Sequence, residues 1–410
     1  MVDNQYRGGA MQNGNELKGV NQDSIQSMNR TLIMKLLREQ GICSRANLAK
    51  LSGLKKATVT YIVNDFINWG CVKEVGLIQG NKGRRSIGIT LAEDRYFVIG
   101  IRLARRDFKV GLFSINGNLI DITQQQIESG QSPERTMENI LSNIDSLISR
   151  TAPDNILAIG MAIPGPFIKR EGKIAVLTET AGWGNMAFRE ELEKRYSFPV
   201  FIEHDANAGA YAQIWYDKLI DKNASLIYVA IGQGVGAGIV YNGEILKGEL
   251  GIAGEIGHTS INFDGPKCEC GNHGCLEKYC SSIVLARNIT GAKKRTEQYG
   301  LSDIQKLIDA GDEQAIEEFR KECRYLGYGI VNAVNSFNPS AIILGDDMSH
   351  INDGIMLQEV NKILKERLLP EVYDNLNLKV SKAVKDSVLH GIGAICINEV
   401  LGNLELYLNK

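Results

Sequence analysis

The stretch GEIGHTSINFDGPKCECGNHGCLEKYCS, from Gly254 to Ser281, contains three cysteines within eight residues and a histidine ten residues before the first of them. These residues are His258, Cys268, Cys270 and Cys275. Three thiolates and one imidazole form the Cys₃His set of a structural zinc site, in which four protein ligands leave no position for a catalytic water. Gly271 and Gly274 permit the tight turns that such close spacing requires. We therefore predict structural zinc here; the alternative is three reduced core cysteines and a buried histidine.

Two carboxylates flank this set, and neither is needed to complete the metal shell. Glu255 lies three residues before His258, and Glu277 lies two residues after Cys275. We predict that the metal serves as scaffolding and positions Glu255, His258 and Glu277 to face a ligand.

Length and composition indicate an ordinary soluble protein. The chain has 410 residues, a net charge of −2 and 44% hydrophobic residues, which allows two or three domains with large cores. No apolar run approaches the ~20 residues of a membrane span, and the first twenty residues lack the apolar core of a signal peptide. Eight cysteines, half of them scattered, are typical of reduced thiols in a cytoplasm, where we expect the protein.

The balanced net charge hides two unlike parts of the chain. From Gln22 to Leu91 there are eleven Lys or Arg and four Asp or Glu, a net charge of +7, whereas the remainder carries 35 against 44. A small basic module joined to a larger acidic one indicates nucleic acid as the partner of the first and another ligand for the second.

The basic module has the pattern of a helix-turn-helix preceded by a segment, residues 1–21, that we expect to be disordered. The predicted helices run from a cap at Asp23 or Ser24 to Gly41, from the N-cap Ser44 over Arg45–Leu51, and from about Lys55 to Trp69. Two short helices joined at Gly53, the second with a basic beginning, are typical of a DNA reader whose second helix enters the major groove.

A basic hairpin is predicted after the third helix. Val72–Val75 and Ser86–Leu91 can pair around the polar tip Gly80–Arg85 as the wing of a winged helix, with its cations on phosphate or in the minor groove. The candidate DNA-binding residues are Arg45, Lys55, Lys56, Thr58, Thr60, Tyr61, Lys82, Arg84 and Arg85. A solvated hairpin beside a helical bundle, or a winged helix that docks a protein, are the alternatives.

From Tyr96 onward, strands alternate with helices. The first series is Phe97–Leu103, Lys109–Phe113, Leu119–Ile122, a helix over Met137–Ile148 and Ile156–Ile163. The second is Leu226–Ile231, a glycine-rich segment Gly232–Gly238, Ile239–Tyr241, Glu244–Lys247, a helix over Glu313–Phe337 and Ala341–Leu344. Two such units in tandem predict two α/β lobes, with a ligand cleft beyond the strand ends.

Five motifs follow one another in this larger module. They are Ile163-Pro-Gly-Pro166, Gly182-Trp-Gly-Asn185, Glu203-His-Asp-Ala-Asn207, Glu255-Ile-Gly-His258 and Cys268-Glu-Cys-Gly-Asn-His-Gly-Cys-Leu-Glu277. In this order they resemble the ROK family of repressors and sugar kinases, whose lobes have the actin-like fold. The winged helix, with Ser44-Arg-Ala and Lys56-Ala-Thr-Val59, further resembles the repressor branch, in particular the xylose repressors of Gram-positive bacteria.

The resemblance implies an α/β fold in which a winged helix-turn-helix domain, residues 22–91, precedes a two-lobed actin-like domain. Lobe 1 would comprise residues 95–215 and about 385–410, and lobe 2, with the zinc site, residues 216–384. The implied sugar-binding residues are His204, Asp205, Glu255, His258 and Glu277. Asp205 occupies the position of the kinase catalytic base, and His204 stands where the family usually has Asn. Trp183 is expected to pack between elements rather than to stack on a sugar.

Several positions differ from the family's kinases. Arg102 replaces an acidic residue, and Ala104, Arg105 and Arg106 replace the small turn that cradles ATP. Gln233 stands where kinases usually have Thr, and Asp346 replaces a glycine and brings a negative charge close to the nucleotide. We expect nucleotide binding to be lost and no catalytic residue to remain.

These expectations combine into a sugar-responsive repressor that binds a palindromic operator as a homodimer or higher homo-oligomer. Xylose is favoured as its effector by the resemblance, with glucose and N-acetylglucosamine as alternatives. The competing hypothesis is an ATP-dependent sugar kinase with an added DNA-binding domain, and a third is a scaffold that docks a protein through the winged helix.

Overall fold

A computed structural model describes residues 22–79, 85–165, 167–168, 173–174, 183–217, 219–221, 223–291, 300–404 and 407. The chain divides into two compact units. The first comprises the residues up to Asn68, Glu74–Thr90 and the residues from Leu401; the second comprises Trp69–Lys73 and Leu91–Val400. The segment 1–21, for which we expect disorder, and the wing cations Lys82 and Arg84 lie outside the described residues.

Within its described part, the first unit has three helices and a three-stranded sheet. These elements are α1 (Gln22–Gln40), β1 (Cys43–Ser44), α2 (Arg45–Ser52), α3 (Lys56–Asn68), β2 (Val72–Gln79) and β3 (Arg85–Leu91). The N-cap predicted at Ser44 is confirmed, because its hydroxyl accepts a hydrogen bond from the Asn47 N–H. In the sheet, β3 lies between β1 and β2. Helices α2 and α3 followed by β2 and β3 are the arrangement of a winged helix-turn-helix.

Apolar residues at three- and four-residue spacing hold these helices together. Ile33 and Leu37 of α1 and Val59, Ile62 and Phe66 of α3 are almost completely buried. Helix α1 begins at Gln22, so that Asp23 and Ser24, expected as its caps, lie inside the helix.

The described part of the second unit repeats one strand arrangement in two five-stranded sheets. The elements of the first half are β4 (Phe97–Leu103), β5 (Asp107–Ser114), β6 (Leu119–Gln126), α4 (Pro133–Ile148), β7 (Ile156–Ile163), β8 (Phe167–Ile168), β9 (Lys173–Ile174), α5 (Phe188–Arg195), β10 (Val200–His204) and α6 (Asp205–Tyr216). Those of the second half are β11 (Leu226–Ile231), β12 (Val235–Tyr241), β13 (Glu244–Ile245), α7 (Ser282–Thr290), α8 (Leu301–Asp309), α9 (Glu313–Phe337), β14 (Ala341–Gly345), α10 (Asp353–Arg367), α11 (Pro370–Asp374), β15 (Asn377–Val380) and α12 (Ser387–Gly402).

Both sheets combine an antiparallel meander with two parallel strands. The first has the order β10-β7-β4-β5-β6, with β5 antiparallel to β4 and β6, and β7 parallel to β4 and β10. The second has the order β13-β12-β11-β14-β15 with the same directions. The predicted pair of tandem α/β units is therefore confirmed, and β4, β7, β11 and α9 have the predicted bounds.

One expectation about backbone shape was wrong. We predict that the strand after the glycine-rich segment Gly232–Gly238 begins at Ile239, but β12 begins at Val235 and pairs with β11 along its length. Helix α6 packs closely on this strand, and a Cβ atom at Gly238 would lie 2.2 Å from the carbonyl oxygen of Ala206. The glycine therefore serves helix–sheet packing.

Of the helices in the described ranges, none combines the length and the apolar character needed to cross a lipid bilayer.

Candidate functional site

One pocket in the second unit is lined by residues at or just after the carboxyl ends of several strands. Arg102, Arg105, Pro164, Gly165, His204 and Asp205 come from the first half, and Gln233, Gly234, Asp346 and Asp347 come from the second. Glu255, His258 and Glu277 also line it. This is where open α/β sheets place ligands. All five residues that we predict as sugar ligands therefore line one cavity, although their role stays a prediction.

A histidine and two carboxylates form the first cluster in this pocket. The Nε2 atom of His204 lies 3.3 Å from Oδ1 of Asp205 and 3.7 Å from Oε1 of Glu255. Asp205 is the first residue of α6, and its Oδ1 accepts a hydrogen bond of 2.6 Å from the Ala206 N–H. Burial raises the pKa of both Asp205 and Glu255, against the opposing effect of His204. Such carboxyl groups accept hydrogen bonds when ionised and can donate them when protonated.

The four predicted metal ligands lie together beside this cluster. Their ligand atoms all lie within 4.8 Å of one another, with His258 Nδ1 3.6 Å from Cys268 Sγ, and Cys270 Sγ 3.6 Å from Cys275 Sγ. Tetrahedral zinc with bonds of about 2.3 Å to sulfur holds its ligands roughly 3.8 Å apart, so this set fits a metal ion.

The turn predicted at Gly274 is confirmed, because its φ is 66° and a Cβ atom there would lie 1.7 Å from the Asn262 carbonyl oxygen. A side chain at this position would therefore displace the backbone that brings Cys270 and Cys275 together.

A charged cluster fills the other side of the pocket. Arg102 forms ion pairs with Asp346 and, at 2.9 Å, with Asp386, and Lys109 Nζ lies 2.7 Å from the same Asp386 oxygen. Arg102 and Lys109 are cross-strand neighbours on β4 and β5. The two cations hold the pKa of Asp386 below its ordinary value in spite of its burial. Asp346 and burial together raise the pKa of Asp347 to about 6.

The backbone at Asp346 is strained. Its φ of 68° and ψ of −176° lie in a region that is almost reserved for glycine and costs about 1–3 kcal/mol for other residues. We expect this residue to bring a negative charge close to a nucleotide, and the structure pairs its carboxylate with Arg102. The ion pair gives a reason for keeping a strained aspartate here.

Sequence reasoning missed Asp386 and Lys109. Asp386 is 284 residues from Arg102 along the chain, and Lys385-Asp386-Ser387 is no more than a helix-cap pattern. Because no local signal connects it to Arg102, the pairing could not be found without the fold.

Arg105 crosses the pocket from the turn between β4 and β5. Its Nη1 donates a hydrogen bond of 3.0 Å to the Gln233 carbonyl oxygen, and its Nη2 lies 3.4 Å from Oε2 of Glu277. The Val235 N–H donates to the same Glu277 oxygen at 3.3 Å. The side chains of Arg105 and Glu277 are 9% and 8% exposed.

Trp183 is buried and stacks on Phe188 with ring centroids 6.0 Å apart, as expected of a packing residue.

The DNA-binding candidates of the first unit are mostly exposed. Lys55, Lys56, Thr60 and Tyr61 are exposed, Thr58 is half-buried, and Arg85 is exposed at the start of β3. Arg45 is held within the unit by Glu74 at 3.0 Å and by Asn64 at 3.4 Å. A basic, accessible surface at the start of α3 is what a recognition helix requires.

Comparison with known proteins identifies the family. The model of the ROK family matches residues 98–399. The chain belongs to the ROK family. Over 382 residues, this ROK protein is 31% identical to the xylose repressor of Bacillus spizizenii, a match that covers 93% of this chain and 97% of that relative.

Two solved structures show how widely the fold is shared. A ROK family transcriptional regulator, a homologue of the E. coli MLC protein, has a TM-score of 0.77 at 26% identity and covers 94% of this chain and 99% of its own. The ROK family glucokinase of Streptomyces griseus, in complex with glucose and AMPPNP, has a TM-score of 0.65 at 21% identity, with 73% and 98% covered, and shows the fold alone. The predicted architecture, a winged helix-turn-helix followed by an actin-like α/β domain, is confirmed. Because regulators and kinases share it, function has to be argued from the site.

Proposed function

We propose that this ROK protein is a sugar-responsive transcriptional repressor. Its winged helix, within residues 22–91, binds operator DNA in the cytoplasm, and a monosaccharide, with D-xylose favoured, binds between lobe 1 (95–215 and about 385–410) and lobe 2 (216–384) without being phosphorylated. Likeness to a xylose repressor over 93% of the chain supports this function. As a homodimer or higher homo-oligomer, the protein places two recognition helices on a palindromic operator.

The observation that carries the proposal is the neutralised charge cluster around Arg102. Phosphoryl transfer needs carboxylates that hold Mg²⁺ and a space for the phosphates. Here Asp386 is already bound by Arg102 and Lys109, and Asp346 by Arg102. A metal–nucleotide complex would have to break these buried ion pairs, which supports the loss of kinase activity.

The carboxylate side of the pocket suits a sugar. Asp205, Glu255 and Glu277 offer acceptors for neighbouring hydroxyl groups, and His258, whose Nδ1 faces the cysteines, would add its Nε2–H as a donor. Zinc on Cys268, Cys270, Cys275 and His258 would fix the orientation of that ring, which is how a structural metal can position a binding residue.

DNA binding in a sugar-dependent manner is the direct test. Operator sites selected from a random duplex library are titrated by fluorescence anisotropy at several salt concentrations, with D-xylose, D-glucose and N-acetyl-D-glucosamine. We expect affinity to fall steeply with salt, because Lys and Arg displace counterions, and one sugar to change it about 5- to 150-fold. If no pentose or hexose changes operator affinity, the proposal fails.

Two variants separate the modules. Lys56→Ala should weaken DNA binding and leave sugar binding intact, whereas Glu255→Ala should abolish the sugar response and leave DNA binding intact. A loss of both functions in either variant would contradict the division of labour.

One observation favours the competing sugar kinase. Burial raises the pKa of Asp205, which is the direction that a general base at neutral pH requires. A coupled assay of ADP release with ATP, Mg²⁺ and the same sugars decides between the two functions. We expect background rates, and turnover well above background would establish the kinase.

A further inference from the structure

Glu277, one of the predicted sugar ligands, already forms an ion pair with Arg105. Arg105 comes from the half of the unit that contains the first sheet. Arg105 is carried by the turn between β4 and β5, which is closed by a hydrogen bond of 2.9 Å from the Ala104 N–H to the Asp107 carbonyl oxygen. From there its guanidinium reaches the Gln233 carbonyl oxygen and Glu277 Oε2. Both acceptors belong to the half of the unit that contains the second sheet.

The Glu277 carboxylate is closely surrounded at this oxygen. Oε2 receives the Val235 N–H as well as Arg105, and a Cβ atom placed on Gly234 would lie 2.4 Å from Oε2 and 3.0 Å from Arg105 Nη2. The site is therefore built around this pair, and both side chains are about nine-tenths buried. Because Oε2 is this crowded, a hydroxyl group that binds there competes with Arg105 for the space around it.

Of these donors, Arg105 is the one that can leave. The Val235 N–H belongs to the backbone of β12, which is paired with β11. The guanidinium of Arg105, in contrast, lies at the end of a long side chain that extends from a turn. Its 3.4 Å contact with Oε2 is longer than the usual length of a charge-assisted hydrogen bond.

We propose that Arg105 is a built-in competitor of the effector for Glu277, and that it thereby sets the affinity of the pocket for monosaccharides. This inference rests on the proposed function, since it takes Glu277 as a sugar ligand. Binding of the effector exchanges the Arg105–Glu277 pair for hydroxyl–carboxylate hydrogen bonds. It also removes one of the contacts by which the β4–β5 turn reaches the half of the unit that contains the second sheet, while the Arg105–Gln233 hydrogen bond can remain.

Isothermal titration of the full-length protein with D-xylose, D-glucose and N-acetyl-D-glucosamine tests the proposal. Arg105→Gln should bind the preferred sugar about 10- to 100-fold more tightly than the wild type, the range that corresponds to one hydrogen bond to a charged group. Arg105→Lys keeps the charge but loses the planar fork and should fall between the two. The matched control is Arg106→Gln, the same change at the next residue of the turn, whose side chain does not line the pocket; its affinity should equal that of the wild type.

A double-mutant cycle ties the effect to Glu277. In a Glu277→Gln background, Arg105→Gln should change sugar affinity by less than about threefold, because the ion pair is already absent. The melting temperature of each variant without sugar shows that it is folded.

Weaker or unchanged sugar binding by folded Arg105→Gln, alongside measurable binding by the wild type, overturns the inference and leaves the proposed function standing. In that case Arg105 is a sugar donor or an indifferent neighbour. If no folded variant, including the wild type, binds any of the three sugars, the proposed function fails and the inference fails with it.

Discussion

The carboxyl groups of Asp205 and Glu255, on one side of the pocket, and that of Asp386, on the other, have pKa values shifted in opposite directions. Asp205 and Glu255 lie around the imidazole of His204, and burial raises their pKa values. Asp386 is also buried, but the cations of Arg102 and Lys109 lower its pKa. A carboxylate bound by fixed cations contributes to folding, whereas a partly buried carboxylate beside an imidazole ring is held in an unfavourable state that a ligand can relieve.

This difference indicates how a kinase-like cleft can serve regulation. The cluster around Arg102 joins residues of the two sheets by internal ion pairs, including one at the strained backbone of Asp346. At Asp205 and Glu255, burial outweighs the compensation that His204 and, at Asp205, the Ala206 N–H supply, in keeping with the general trade-off between stability and function.

The largest effect is expected at the proposed zinc site beside Glu255 and Glu277. Cys270→Ser should lose zinc and the sugar-induced rise in melting temperature, because metal binding and local folding are linked. Elemental analysis of the purified protein and thermal shift with the sugar panel measure both. Cys280→Ala, a buried cysteine outside the four-ligand cluster, should keep its zinc. Unchanged metal content in Cys270→Ser would refute the assignment.

A smaller but still severe effect, on the free energy of unfolding, is expected in the charged cluster around Arg102. Asp386→Asn keeps the acceptor for the Leu389 N–H at the start of α12 but leaves Arg102 and Lys109 without their shared counter-charge. Breaking a buried pair in this way costs about 3–5 kcal/mol of unfolding free energy, measured by urea denaturation. The exposed pair Arg135–Glu138 supplies the control, since Glu138→Gln should cost less than about 1 kcal/mol. Equal losses in the two variants would show that the cluster is not structurally important.

The smallest expected effect is a stabilisation of the folded protein. Asp205→Asn keeps the acceptor for the Ala206 N–H and removes a charge whose burial is unfavourable, so we expect a gain of about 1 kcal/mol in unfolding free energy at pH 8.

The sign of its pH dependence follows from linkage. Because the folded-state pKa of Asp205 is raised, the folded wild type binds its proton more tightly than the unfolded chain does, and stability falls as pH rises from the unfolded pKa through the folded pKa. The advantage of Asp205→Asn should therefore disappear as the pH falls toward about 4, the ordinary pKa of aspartate. A destabilised Asp205→Asn at pH 8 would erase the contrast between the two sides.

Much of the fold and part of the site could be predicted, because they depend on neighbours in the chain. The cap at Ser44, the bounds of β4, β7 and β11, and the cluster formed by His258 with its three cysteines follow from turn chemistry, apolar periodicity and ligand spacing. Each of these signals acts over a few residues, or over one short loop, and is therefore written in the local sequence.

Only the tertiary structure decided which charges meet. Arg102 and Asp386 are 284 residues apart, and Arg105 and Glu277 are 172 residues apart. The sequence identified Arg102 and Arg105 as bulky replacements but gave no partner for either. Two sheets with the same topology bring the ends of distant strands into one pocket, and there geometry alone determines which carboxylates are neutralised and which remain for a ligand.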